Sequence, residues 1–121
     1  MTPADVRALL AIYGRSNVET ADALGIQAEV TVRRLKNGRE PVWPETARRI
    51  VELAADTLSA QMLRAIEAAA GGPVRAGSLT IHADAMDPGG ADARLSADTA
   101  LALRQAVLAR LGRAGITVAR S

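Results

Sequence analysis

Apolar residues in the first half of the chain recur three and four positions apart, the spacing of one helical face. Thr2-Pro3 reads as an N-cap with proline at the first helical position, and Val6, Leu9, Leu10 and Tyr13 follow it. A helix is expected from about Pro3 to Tyr13, stopping at Gly14. Ser16 or Asn17 caps a second helix, with Glu19 in its first turn and Val18, Ala21 and Leu24 on its inner face. Gly25 suits a residue leaving that helix with positive φ, a conformation that costs a residue with a Cβ about 1 kcal/mol. A third helix runs from about Ala28 to Asn37, with Val32 and Leu35 on one face and Asn37-Gly38 as its stop.

Pro44-Glu45 opens a longer segment, whose stripe of Ile50, Leu53, Ala54, Leu58, Met62, Leu63 and Ile66 continues to about Ala70 before Gly71-Gly72-Pro73. Unbroken, it would be about 39 Å long at 1.5 Å per residue, more than a small head requires. Either it kinks near Asp56 to Ser59, or its far end joins a second lobe or a partner subunit. Beyond Pro73 the period changes. Ser78 to Ala83 alternates Leu79, Ile81 and Ala83 with Thr80 and His82, as a half-buried strand does, and Asp87-Pro88-Gly89-Gly90 is a loop signal. Ser96 caps a helix bearing Leu101, Leu103, Val107, Leu108 and Leu111, ended by Gly112 or Gly115, and Ile116 to Val118 form a final strand. Two short strands and a helix are too little to stand alone. This lobe is expected to pack on the long helix and to pair with its copy in a second chain.

Composition narrows the reading. The 121 residues allow one domain, or a small head with a small lobe, and 49% hydrophobic against 23% charged residues is the balance of a folded chain. With no Phe, one Trp and one Tyr, the core is left to Ala, Leu, Ile and Val, which favours close helix packing. The absence of Cys removes disulfides and thiolate metal sites, and a single His gives no basis for a His-rich one. No cofactor is expected. No stretch reaches the roughly 18 to 20 apolar residues of a membrane span, and the MTPADVRALL start has an acid where a signal peptide would want a basic end. A cytoplasmic protein beginning near Met1 is expected.

The formal net charge of +2 does not by itself imply a nucleic-acid partner. Distribution does more: Arg33, Arg34, Lys36 and Arg39 stand against the single acid Glu29 between Gln27 and Arg39. Two short helices joined by a tight turn, the second basic, form the pattern of a helix-turn-helix reading head for DNA.

The order Ala21, Gly25, Val32, Leu35, Asn37-Gly38 resembles the compact reading heads of the Cro/C1 repressor class. The interval from Gly25 to Val32 is one residue longer than is usual there. With Val42, Pro44-Glu45 and a long helix following, the head looks more like the phage and prophage regulators that include anti-CRISPR-associated repressors and YdiL-like proteins. The likeness covers roughly residues 4 to 70; beyond Gly71 it is confined to Leu95-Ser96 opening a helix. It implies a mainly α fold with a five-helix head over residues 1–70 and a strand-bearing β-α-β dimerisation lobe over 73–121. It also implies a homodimer that binds an inverted repeat in double-stranded DNA and represses its own operon. Val30 is apolar where members of this group can carry a polar reader.

Within this reading, Arg33 and Arg34 are the candidates for the major groove, since a guanidinium bonds guanine O6 and N7 together. Glu29 either accepts from cytosine N4 or serves only as an acid at a helix start, and Val30 or Thr31 can meet a thymine methyl. Gln27, Lys36, Asn37 and Arg39 belong at the margins, where side chains hold phosphates, and Asn17 and Thr20 either join them or cap the second helix. Arg48 and Arg49 read as surface partners of Glu45 and Glu52. Trp43 is expected to be a packing anchor, with stacking on a base as the alternative. His82, Asp84 and Asp87 read as strand and loop chemistry, and no enzyme motif is present. Leu79, Ile81, Leu101, Val107, Leu108, Leu111, Ile116 and Val118 are the candidate dimer contacts. Two other readings stand beside the repressor. One is an antitoxin whose C-terminal lobe masks a toxin; the other is a regulator whose basic helix binds structured RNA.

Overall fold

A computed structural model describes residues 1–82 and 94–119. The chain is mainly helical. Helices α1 (Pro3–Tyr13), α2 (Asn17–Leu24), α3 (Glu29–Asn37) and α4 (Pro44–Ala70) are followed by strand β1 (Thr80–His82), helix α5 (Ala97–Arg113) and strand β2 (Thr117–Ala119). Asp84, Asp87 and the 87–90 loop signal lie outside the described residues.

Local chemistry explains the boundaries. The Thr2 hydroxyl accepts the Asp5 N–H at 3.1 Å while the Asp5 carboxylate accepts the Thr2 N–H at 3.0 Å, a reciprocal cap at the start of α1. The Ser16 hydroxyl accepts the Glu19 N–H at 3.1 Å and starts α2. Gly25 ends α2 at φ +70°, and Gly38 ends α3 at φ +75°. A Cβ at Gly25 would lie 3.4 Å from Arg49 Nη1, whereas at Gly38 it would lie 2.9 Å from Cγ of Pro3. The second glycine is therefore required by a neighbour as well as by its own backbone.

Residues 1–70 hold four helices, not five, because α4 is one continuous helix of 27 residues. It runs without a break through Asp56 to Ser59, and is about 40 Å long at the usual rise per residue. Its length is used by α5, which packs along it and supplies Leu103, Val107, Leu108 and Leu111 to a core shared with Val6, Leu9, Leu24, Val32, Leu35, Ile50, Ala54 and Leu58. Small side chains make the close approach possible: Ala54 and Ala55 of α4 are fully buried. The two strands pair in parallel, with Thr80 opposite Thr117, Ile81 opposite Val118 and His82 opposite Ala119. Ile116, just before β2, is buried in the same core.

The far end of the molecule is tied back through one carboxylate. Asp5, 1% exposed, accepts the Ser96 N–H on Oδ1 at 2.8 Å, and on Oδ2 the hydroxyls of Ser96 at 2.7 Å and Thr99 at 3.1 Å. Asp5 thus satisfies the first turns of both α1 and α5, positions 91 residues apart. Burial alone would raise its pKa. Hydrogen bonds from Ser96, the Thr2 backbone and Thr99 outweigh that effect, and the carboxyl is lowered to about 2.

Candidate nucleic-acid interface

Helix α3 is held from behind and left open in front. Val32 and Leu35 enter the core at 0% and 2% exposure, fixing which face turns outward. Arg7 of α1 donates to the Lys36 carbonyl at 2.6 Å, satisfying a carbonyl in the last turn of α3. Lys36 Nζ in turn donates to Asn17 Oδ1 at 2.6 Å, tying the end of α3 to the start of α2. Arg49 of α4 donates to the Leu24 carbonyl at 3.0 Å and braces the turn between the two. The inter-helix angle is therefore set by side chains from three separate elements.

The outward residues are Val30, Arg33, Arg34 and Asn37, all exposed, with Glu29, Thr31 and Lys36 half-buried at the flanks. They do not carry equal free charge. Arg33 is paired with Glu29 one turn earlier, while the side chains of Arg34 and Arg39 make no hydrogen bond or ion pair among the described residues; the two are joined only through their backbones, Arg39 N–H to the Arg34 carbonyl at 2.9 Å. The cationic surface therefore lies toward the C-terminal end of α3 and the loop beyond it. At the other end, Gln27 shares a shallow groove with Val18, Glu19, Asp22 and Glu29, where the acids oppose a phosphate.

Several expectations are corrected. Thr20 is 1% exposed and donates its hydroxyl to the Ser16 carbonyl at 2.8 Å, so it faces no phosphate. On a helix starting at Asn17 the inner positions are Asn17, Thr20, Ala21 and Leu24, at spacings of three and four. Val18 lies off that face and is 61% exposed. Asn17 and Lys36 spend a polar group on each other. Trp43 is not a packing anchor: it is the N-cap residue of α4 and is 65% exposed, because the neighbouring Val42 takes the half-buried place in the core instead. Among the candidate dimer contacts, Val107, Leu108, Leu111 and Ile116 are buried by the chain's own helices and present no surface to a second copy. Leu79 and Leu101 are exposed, and Ile81 and Val118 are half-buried.

Arg48 pairs with Glu45 at 2.6 Å and Glu52 at 2.8 Å, and Arg49 also reaches Glu45 at 3.3 Å. The Arg48 guanidinium, hydrogen-bonded to Glu45, holds that carboxyl below the usual carboxylate range. The bracing roles of Asp5, Arg7 and Arg49 were not anticipated; only the Thr2-x-x-Asp5 spacing of a capping box signals one of them.

Comparison of the chain with protein-family models, curated proteins and solved structures finds no match. Among the described residues, no helix is long and apolar enough to cross a membrane.

Proposed function

We propose that the chain is a sequence-specific DNA-binding transcriptional repressor of the helix-turn-helix type, a phage or prophage regulator acting on its own operon as a homodimer. The observation that carries the reading is the outward face of α3. Val30, Arg33, Arg34 and Asn37 stand exposed on a short helix whose opposite face is locked into the core, and Arg34 and Arg39 have no acidic partner among the described residues. A rigidly mounted helix with uncommitted guanidinium groups suits the major groove, where one bidentate arginine is worth about 1 to 3 kcal/mol of discrimination. Arg34 is the first reader. Arg33 joins it once the groove takes over from Glu29, and Glu29 is then free to accept from a cytosine amino group. Arg39 and Asn37 serve the backbone.

The second copy seats where apolar surface remains. An apolar groove at the C-terminal end of α4, lined by Ile66, Ala69, Ala70, Val74 and Leu79, supports this part of the reading. Two reading helices then enter successive major grooves about 34 Å apart.

Selection from a random duplex library, followed by band-shift titration, tests the proposal. Wild-type protein enriches a two-fold symmetric site, and Arg33→Ala with Arg34→Ala abolishes binding while the circular dichroism is unchanged, since both side chains lie outside the core. A folded double mutant that binds undiminished, or a wild-type protein that enriches no site, refutes it.

A further inference from the structure

Trp43 is the only tryptophan of the chain, and nothing in its position in the fold explains it. It is 65% exposed, although a tryptophan contributes most to stability when buried. Proline stands directly after it at the first position of α4, which fixes the backbone at the helix start. The ring is therefore presented from a stiff base. Along the chain it follows closely on the cationic end of α3. Trp43 lies five residues after Gly38, the C-cap of that helix, within at most about 18 Å of extended chain. The connecting loop carries Arg39, which is exposed and whose side chain has no partner among the described residues. Arg49, six residues further along α4, braces the turn before α3. Helix α4 is thus tied within its second turn to the turn that precedes the reading helix. Two acids are near in sequence: Glu40 is half-buried, and Glu45 is neutralised by Arg48 and Arg49.

Resting on the reading of α3 as a DNA-binding helix, we propose that Trp43 is a sequence-independent backbone contact. Its indole lies against a deoxyribose, and its Nε1–H donates to a phosphate flanking the groove that α3 enters. An indole suits this place because it pairs an apolar face with one donor and loses few rotamers on ordering. Arg39 neutralises the adjacent phosphate, and the two residues set how deeply α3 sits. The contact adds affinity to every sequence and discriminates among none.

Because the residue is unique, the full-length protein reports on it directly. Its emission is expected near that of indole in water, and it shifts to the blue and loses intensity as a duplex of about three helical turns is titrated in. Binding is followed in parallel by the anisotropy of a dye on the DNA. Trp43→Ala, which removes a mostly exposed side chain, weakens both a library-selected duplex and a mixed-sequence duplex by the same factor, about five- to tenfold. Three results overturn the inference. One is saturation of the DNA with the tryptophan emission unmoved. Another is a Trp43→Ala loss confined to the selected duplex. The third is a blue shift that follows protein concentration without DNA, which would assign the ring to a protein interface. Absence of any DNA binding in the anisotropy channel instead defeats the reading of α3 itself.

Discussion

Replacing Asp5 by Asn keeps the shape of the side chain and removes the charge that joins α1 to α5. The carboxylate accepts from four groups: the N–H of Thr2 and of Ser96, and the hydroxyls of Ser96 and Thr99. An asparagine offers one oxygen, and its amide nitrogen is itself a donor, so at least one of those groups loses its acceptor. Leaving a buried donor unsatisfied costs about 1 to 3 kcal/mol. The pKa gives a second route to the same quantity. A carboxyl lowered from 3.8 to about 2 contributes roughly 2 kcal/mol to folding at neutral pH, at about 1.4 kcal/mol per unit.

Because the folded pKa is depressed, that contribution is complete above about pH 4, where the unfolded chain is also ionised. It declines as the pH falls toward 2. Asp5→Asn is therefore expected to be less stable by about 2 to 3 kcal/mol at pH 7, a fall in Tm on the order of 10 °C for a chain of this length. The wild-type advantage should shrink between pH 4 and pH 2, because Asn has no proton to gain. Urea melts followed by helical circular dichroism, at pH 7 and at steps down to pH 2, measure the gap. A variant as stable as wild type at pH 7, or a gap that does not narrow in acid, would refute the account of Asp5 as an ionised double cap.

Two glycine substitutions separate backbone strain from collision. Gly25→Ala is expected to cost about 1 to 2 kcal/mol for its positive φ. Gly38→Ala should cost measurably more at nearly the same φ, since its methyl meets the Pro3 ring; equal melting shifts would contradict this. Glu29→Gln should leave stability within about 0.5 kcal/mol, because the ion pair with Arg33 is solvent-exposed. The same change should tighten binding to a mixed-sequence duplex several-fold at low salt, by removing an acid from the cationic face. Unchanged affinity would mean that Glu29 lies away from the phosphates.

Much of the helical layout was legible because its signals are local. Thr2-Pro3, Ser16, Gly25, Gly38, Pro44 and Gly71 mark helix starts and stops through groups within four residues of themselves, and the helices begin and end beside them; Ser96 also stands at a helix start, but its side chain makes no cap bond to α5 and turns to Asp5 instead. What could not be read is what each apolar face meets. Val107, Leu108 and Leu111 announce a face that must be covered, and a second chain was one way to cover it; α4 covers it within the chain. The continuity of α4 was likewise open, since a stripe of period 3.6 is the same for a long helix and for two short ones. At the site, the charges of α3 were visible while their commitments were not. Apart from the Glu29–Arg33 pair, which a spacing of four on a helix allows, that Lys36 is tied to Asn17 and Arg34 left uncommitted depends on the third dimension. Val18 and Thr20 are a different case. Counting in threes and fours from Asn17 puts Thr20 inside and Val18 outside, so hydrophobicity misled where periodicity would not have.

These commitments make the open face of α3 dependent on residues far from it. The end of α3 is held by Arg7 of α1, and α1 is held at its start by a carboxylate whose other partners are Ser96 and Thr99 of α5. The same α5 covers the face of α4 whose second turn supplies Arg49 to the α2–α3 turn. Loosening α5 would therefore act on α3 through two routes at once, one through α1 and one through α4. Each route consists of packed side chains or hydrogen bonds of 2.6 to 3.1 Å, so neither deforms gradually. A substitution at Thr99 that breaks its bond to Asp5 should accordingly alter DNA affinity as well as stability, although Thr99 is buried and sits on another helix. If Thr99→Val lowers the melting temperature yet leaves binding by the still-folded protein untouched, the first route carries stability alone and the orientation of α3 is set by α2 and α4.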